Sequence, residues 1–295
     1  MIQRTKGEKI FNVFNYIILT IFALTTLYPF LYTLTISLST AAEAERIGLH
    51  ILPNPDKMSL EPYRLVFSNK EIWGAYKWTL FRTIVGTIMG LVVTCFYGYA
   101  LSRPGLPLKK IFTTFLMFTM MFNGGQIPTY LNIKNLGLID SVWVYVLPYL
   151  IGAYNVVVAK SFFAALPESL NESARIDGAG EFRIFFQIIV PLSKPIIMTL
   201  ALWMAVAHWN QWFDSLMYIN SEDKKVVQSF LQRIVTSGNT DMLKDVNASD
   251  QDKKEVIGKT IQSATIMVTI LPILCVYPFI QKYFVKGVTL GAVKG

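Results

Sequence analysis

The chain has 295 residues, of which 53% are hydrophobic and only 16% are charged. Soluble domains carry about 25% charged residues, so the composition predicts an integral membrane protein. The net charge of +8 is typical of Lys and Arg beside membrane spans. Because no basic cluster alternates with aromatic residues outside the apolar blocks, nucleic-acid binding is not expected. Cys95 and Cys275 fall in apolar runs, which predicts buried thiols and no metal site.

The apolar blocks predict a single all-α transmembrane domain over residues 1–295, because a membrane-spanning helix needs about 20 apolar residues. The first block is longer than the roughly 7–15 residues of a signal-peptide core and is interpreted as a retained helix. The polar loops before and after the fifth span, 167–191 and 219–260, are expected on opposite sides of the membrane. The predicted spans are about 10–38, 83–101, 111–131, 142–166, 195–218 and 261–284.

Several polar or small residues fall inside these spans. Gly86 and Gly90 form a GxxxG pattern that favours close helix packing, and Arg82 is expected to extend toward the interface. The stretch from Asn123 to Gln126 contains two glycines and should break the third span. Unwound backbone at this depth either lines a cavity or is buried in protein, so a role in the transport path stays open.

The polar stretch at 167–191, hereafter the elbow, lies between the fourth and fifth spans. Ser169 and Glu172 have capping-box spacing, and the pattern predicts a short helix that breaks at Gly178. A second helix, 181–190, should stop at Pro191. Physical reasoning alone leaves two alternatives, a docking surface for a partner or a plain connecting loop.

The end of the fifth span is rich in aromatic and polar side chains. Such residues either line a transport path or form the interfacial aromatic belt, and the sequence does not decide between them. The candidate path residues are Asn123, Gln126, His208, Trp209, Asn210 and Trp212.

The elbow resembles the EAA loop of ABC importer permeases. The family pattern has Glu-Ala-Ala, a Gly four residues later, and Ile-x-Leu-Pro; here Ser173 replaces the first Ala and Val190 replaces Leu, with the spacing intact. YGYALSR (97–103), FNGGQIPTY (122–130), WNQWF (209–213) and the tail 277–295 resemble carbohydrate permeases related to the small maltose-transporter subunit. The nearest resemblance is to the LplC/YtcP group of polysaccharide permeases of Gram-positive bacteria.

This resemblance implies a type I ABC importer permease fold with six transmembrane helices and a cytoplasmic coupling helix. It implies a heterodimer with a second, homologous permease subunit, two cytoplasmic ATPase subunits, an extracellular solute-binding lipoprotein and an oligosaccharide substrate. ATP and Mg²⁺ would bind the ATPases, and no cofactor would bind this chain. The elbow and both termini would be cytoplasmic in a multi-pass plasma-membrane protein, which agrees with the higher density of basic residues on that side.

The resemblance also implies roles for individual residues. Glu172 would face a basic ATPase surface, Ala174 would let the helix pack closely, and Gly178 would form the turn. The ATPase-coupling residues implied in this way are Glu172, Ser173, Ala174, Asp177, Gly178, Pro191, Lys294 and Gly295.

Two other classes of protein are compatible with the composition. A membrane enzyme acting on lipid-linked sugars would need a cluster of acids or histidines, whereas the acids here are scattered. A secondary transporter would show internal repeats and charges within its spans. Gly258-Lys259-Thr260 resembles the end of a nucleotide-binding P-loop, but Lys253 replaces its first glycine, so no ATPase site is expected.

Overall fold

The first long helix, α1 (Lys6–Ser37), begins at a capping box in the computed structural model. The Thr5 hydroxyl accepts from the backbone N–H of Glu8, and the Glu8 carboxylate accepts from the N–H of Thr5 at 2.8 Å. These contacts satisfy amide groups that have no partner within the helix. Most apolar side chains of α1 are exposed, as expected for a helix surrounded by lipid. The structure describes residues 5–45, 54–236 and 258–275.

The described residues are mainly helical. In chain order the further helices are α2 (Ala41–Ala44), α3 (Glu61–Ser68), α4 (Lys70–Ser102), α5 (Lys109–Met121), α6 (Gln126–Asn135), α7 (Ala153–Ala164), α8 (Ser169–Ile176), α9 (Glu181–Ile184), α10 (Val190–Leu192), α11 (Lys194–Asn210), α12 (Phe213–Tyr218), α13 (Val227–Thr236) and α14 (Gly258–Cys275). Short 3₁₀ helices cover Pro55–Lys57, Val142–Tyr145, Leu147–Tyr149 and Glu222–Lys224, and a π-helix covers Phe185–Ile189.

The chain divides into two units, one formed by described residues of 1–70 and 231–271 and the other by those of 71–230 and 272–295. In the first unit the last turn of α1 is buried, and Ser37 shares a 2.7 Å hydrogen bond with the Tyr63 hydroxyl. An isolated antiparallel bridge joins Ser39 to Met58. The second unit contains the elbow and the predicted path residues.

Helix α4 packs closely against α11 and α7 in the second unit. A β-carbon added at Gly86 would lie 2.6 Å from the His208 ring of α11, and one at Gly98 would lie 2.8 Å from the β-carbon of Ala159 in α7. Only glycine allows these two close approaches. The close packing that the GxxxG pattern predicts is therefore present at Gly86, whereas a β-carbon at Gly90 would be in ordinary contact, 3.5 Å from the Met204 sulfur. The helix starts well before the predicted span at residue 83, because its first turns pack on the loop near residue 223. There the Trp78 indole donates to the Asp223 carbonyl at 2.8 Å.

Three of the predicted spans contain breaks. The third is divided into α5 and α6 at residues 122–125, where Gly125 has a φ of 89° and Asn123 accepts from its N–H. The fourth bends by 46° between Val142–Tyr149 and α7. The fifth contains α11, is interrupted after Asn210 and resumes as α12.

Three helices of the described residues are long and apolar enough to cross a membrane: α1, α4 and α14. The number rises to five if each bent pair, Val142–Tyr149 with α7 and Glu181–Leu192 with α11, counts as one span. The total of six therefore stays a prediction. Residues 276–284 of the predicted sixth span lie outside the described residues. Cys95 is buried, but Cys275 is exposed, so the expectation of two buried thiols is wrong for the second.

Candidate functional site

The elbow is built around a helix C-cap of the Schellman type. The N–H of Ala179 donates to the Ala174 carbonyl at 2.9 Å, and that of Gly178 donates to the Arg175 carbonyl at 3.0 Å. Gly178 has a φ of 77°, a conformation that favours glycine. The turn predicted at this glycine is therefore present, and it reverses the chain between α8 and α9.

Both ends of the elbow differ from the predicted ones. Glu168, rather than Ser169, is the N-cap of α8, so the predicted capping box does not form. At the other end the helical stretch continues through Pro191 to Leu192 and turns by 82° into α11. Proline clashes with the carbonyl four residues earlier in a regular helix. The wider turn of the π-helix directly before α10 relieves this clash, so the chain bends after the proline instead of stopping at it.

The predicted coupling residues of the elbow divide into two groups. Glu172, Ser173, Asp177, Gly178 and Pro191 are exposed. Ala174 instead is 7% exposed and belongs to a core cluster with Tyr99, Ile184 and Phe185. Its small side chain lets α8 pack closely on this chain's own core. Lys294 and Gly295 lie outside the described residues.

A polar network connects the elbow to α4. Glu181 accepts from the Arg175 guanidinium at 2.7 and 3.0 Å and from the Tyr99 hydroxyl at 2.9 Å. Arg103, just after α4, lies 3.6 Å from the Glu168 carboxylate and stacks 4.6 Å from the centre of the Tyr99 ring. The hydrogen bond to Glu181 raises the pKa of the Arg175 guanidinium above its usual value. Sequence reasoning missed this network, since none of the pairs formed by Glu168 and Glu181 has helical spacing.

A cavity of about 670 Å³ lies between the end of α4 and the elbow. Its walls are mainly apolar, with Phe96, Phe182 and Phe185 among them, and charged side chains including Arg103 and Glu172 stand around it. The cavity and the exposed face of α8 together form the candidate site for a macromolecular contact. Among the described residues, no group of three or more His, Cys, Asp or Glu side chains could hold a metal ion.

The predicted path residues fall into two places. Asn123 and Gln126 are exposed at the break between α5 and α6. The others follow one another at the end of α11: His208 and Trp209 are buried, Asn210 is exposed and Trp212 is half-buried. The His208 ring lies edge-on to the Tyr149 ring, with their centres 6.3 Å apart. Together with its close approach to Gly86, this contact packs α11 against its neighbours.

An ion pair next to these residues escaped the sequence analysis. Arg82 does not extend to the interface as expected; it is 0% exposed. Its guanidinium donates to both carboxylate oxygens of Asp214, at 3.2 and 2.6 Å, and to the Gln211 carbonyl at 2.8 Å. The cation also lies 4.8 Å from the centre of the Tyr145 ring. The sequence did contain a signal for this contact. One span holds an arginine and the end of another holds an aspartate, and both charges are costly in lipid unless they are paired.

A second polar cluster joins the loop before the Val142–Tyr145 helix to the loop after α12. Asp140 accepts from the N–H groups of Asn220 and Ser221, from the Ser221 hydroxyl, and from the Lys224 ammonium at 3.0 Å. These donors, with the Ser221 hydroxyl and amide first, hold the pKa of the Asp140 carboxyl well below its usual range. The cluster fixes the connection from α12 to α13.

Comparison with known proteins places this geometry in a family. Residues 108–290 match the model of the "Binding-protein-dependent transport system inner membrane component" family. The polygalacturonan/rhamnogalacturonan transport system permease protein YtcP of Bacillus subtilis (strain 168) is 37% identical over 290 residues, which cover 98% of this chain and 99% of that protein. Protein LplC of the same organism is 38% identical over 296 residues, with 99% and 98% coverage.

The structural comparison agrees with the sequence matches. A chain in the crystal structure of a bacterial ABC transporter involved in the import of the acidic polysaccharide alginate has a TM-score of 0.85 and 30% sequence identity, with 96% of this chain and 100% of that chain covered. These relatives contradict the alternatives of a membrane enzyme and a secondary transporter, and they confirm the resemblance drawn from the EAA pattern. This chain is a permease component of an ABC transporter rather than an enzyme, and it belongs to the family of binding-protein-dependent transport system inner membrane components.

Proposed function

We propose that this chain is one of two permease subunits of an ATP-driven importer for oligosaccharides or fragments of polysaccharides. In this proposal the elbow docks on a separate cytoplasmic ATPase. The observation that carries the proposal is the two-sided architecture of α8. One side holds Ala174 in the chain's own core, and the other presents Glu172, Ser173 and Asp177 to the surroundings.

The exposed side of α8 suits a basic partner. Among the described residues no basic side chain pairs with Glu172, while the neighbouring Glu168 and Glu181 are engaged by arginines of this chain. Glu172 also lies in the first turn of α8, where the helix dipole favours a negative charge. A cationic side chain of an ATPase can therefore approach Glu172 without displacing an existing contact.

The assembly that follows from this proposal has a type I importer permease fold with six spans. A second, homologous permease subunit completes the membrane part, two ATPases bind ATP and Mg²⁺ in the cytoplasm, and a solute-binding lipoprotein delivers the substrate outside. The elbow and both chain termini lie on the cytoplasmic side. The 82° turn between α10 and α11 supports a course of the elbow across the end of the span rather than along its axis.

The substrate class rests on the relatives and on the aromatic end of α11. One of the similar proteins is named for the transport of polygalacturonan/rhamnogalacturonan, and another belongs to a transporter involved in the import of the acidic polysaccharide alginate. The half-buried Trp212 and the exposed amide of Asn210 offer an aromatic face and a polar group of the kind that saccharides need. We therefore propose oligosaccharides that contain uronic acids, with Asn123 and Gln126 as further path residues.

Reconstitution tests the proposal. The full complex with its cognate permease, ATPase and binding protein is placed in proteoliposomes, and uptake of oligogalacturonate, oligoalginate and neutral maltooligosaccharide is compared. We expect vanadate-sensitive ATP hydrolysis that the loaded binding protein stimulates, with uptake of the acidic oligosaccharides. Uptake of none of the three sugars, or uptake without ATP, would contradict the proposal.

A charge reversal tests the role of the elbow in the same assay. Glu172→Lys should leave membrane insertion intact and abolish uptake, because it opposes a cationic partner surface. Glu61→Lys is the matched control, since Glu61 is also an exposed acid in the first turn of a short helix but lies in the loop after the first span. Normal uptake by Glu172→Lys, or equal loss in both variants, would contradict docking through α8.

A further inference from the structure

The two carboxylate oxygens of Glu181 contact two different helices. One oxygen accepts both hydrogen bonds from Arg175 of α8, and the other accepts from the Tyr99 hydroxyl of α4 at 2.9 Å. Glu181 itself begins α9. A single carboxylate thus joins the short helix that faces outward to a long helix that is a candidate membrane span.

An aromatic cluster lies beside this carboxylate. Phe96 of α4 stacks on Phe185 with ring centres 4.7 Å apart, and Tyr99 lies 5.0 Å from the same ring. Phe96 also contacts Phe182 and Phe186 in edge-on arrangements. The second half of the elbow is therefore packed against α4, and the Tyr99–Glu181 hydrogen bond fixes the position of that packing.

The covalent route out of α8 contains three departures from a regular helix. It passes through the Gly178 turn, the π-helix at Phe185–Ile189 and the 82° bend before α11. Hinges are made of residues that absorb changes of this kind. A displacement of α8 would be taken up along this route unless a direct contact carried it to a spanning helix.

The ion pair between Arg175 and Glu181 contributes little to overall stability. The side chains of Arg175 and Glu181 are 49% and 51% exposed, and ion pairs as exposed as this one contribute little. Stability gives little reason for adding this ion pair to the contact between Glu181 and Tyr99. Transmission of movement between α8 and α4 does.

We propose that Arg175, Glu181 and Tyr99 form a clasp that transmits displacement of α8 directly to α4. The inference rests on the proposed function, in which an ATPase moves α8. The three are positioning residues and do not bind the transported molecule. They line the cavity beside α8, but in this proposal their role is the contact between α8 and α4. Without the clasp, the ATPase would still dock and hydrolyse ATP, but α4 would follow its movement incompletely.

The test compares uptake per ATP hydrolysed in the reconstituted complex. Glu181→Gln and Tyr99→Phe are expected to lower this ratio by about three- to tenfold, the range for losing one hydrogen bond to a charged group that is partly screened. Tyr99→Phe combined with Glu181→Gln should be no worse than the stronger single variant, because both break the same contact. The charge-exchanged pair Arg175→Glu with Glu181→Arg should recover most of the ratio, with the Tyr99 hydroxyl now accepting.

Arg183→Gln is the matched control. Arg183 lies on the same helix as Glu181, but its guanidinium donates to the Gln187 side chain within the elbow at 3.0 Å. The uptake per ATP hydrolysed by Arg183→Gln should therefore stay at the wild-type value. Wild-type ratios in Glu181→Gln and Tyr99→Phe would overturn the clasp, as would loss of ATPase binding by these variants or failure of the charge-exchanged pair. Absence of ATP-driven uptake by the wild-type complex would instead refute the proposed function itself.

Discussion

Neutralising Asp214 should destabilise the protein far more than removing any exposed ion pair. In Asp214→Asn the Arg82 guanidinium keeps its charge, stays 0% exposed and loses a bidentate partner. Breaking a buried ion pair from one side costs about 3–5 kcal/mol. At roughly 2–4 °C per kcal/mol for a large domain, the apparent Tm should fall by about 6–20 °C.

The reverse combination distinguishes a lost pair from lost volume. Arg82→Met with Asp214→Leu removes both charges together and leaves no buried ion without a partner, so it should recover much of the lost Tm. The ion pair between the exposed Glu222 and the half-buried Lys225 gives the control. Glu222→Gln should shift the Tm by no more than about 4 °C, since exposed pairs contribute about 0–1 kcal/mol.

A thiol-reactive dye provides the assay in detergent. Cys95 is buried and reacts only on unfolding, and Cys275→Ser removes the exposed thiol. The reasoning would be refuted if Asp214→Asn unfolded within about 4 °C of the wild type, the range set for an exposed pair. It would also be refuted if the double variant were less stable than both single variants.

Two further predictions concern the elbow and the loop cluster. Gly178→Ala should lower the free energy of unfolding by about 1–2 kcal/mol because φ is 77° there, and it should weaken ATPase binding. Gly180→Ala, at a φ of −71°, is the control and should be tolerated. Thermal unfolding measures the stability of both variants, and co-purification with the ATPase measures binding. The pKa of Asp140 is lower in the folded protein than in the unfolded chain, where it is about 3.9. The charged carboxylate therefore stabilises the fold above about pH 3.9, and this stabilisation is lost as the pH falls below that value. Between about pH 5 and pH 3 the wild-type Tm should therefore fall more steeply than that of Asp140→Asn; parallel curves would contradict the assigned role.

Features set by local chemistry were predictable from the sequence. The long apolar run predicted a span at 10–38, and α1 covers Lys6–Ser37. The glycine within the elbow predicted a reversal, and Gly178 makes it with a positive φ. Both follow from the composition or conformational freedom of neighbouring residues, which requires no knowledge of the rest of the fold.

Features that depend on distant contacts were not predictable in this way. The burial of Arg82 depends on Asp214, which lies 132 residues further along the chain. The N-terminal turns of α4 look too polar for a span, yet they are helical because Thr79 and its neighbours pack on the segment that starts α13. The continuation of the elbow through Pro191 depends on a π-helix, for which no sequence pattern was available.

The central claim, that a cytoplasmic ATPase binds the elbow, is tested most directly by cross-linking from Ser173. This residue is exposed on α8, and Ser173→Cys in a background with Cys95→Ala and Cys275→Ser provides a single reactive thiol. We predict that a short bifunctional reagent joins it to the ATPase subunit in the assembled complex and that a membrane-impermeant thiol reagent added outside intact cells does not label it. Labelling from outside, or a complete absence of cross-links to the ATPase, would contradict the account.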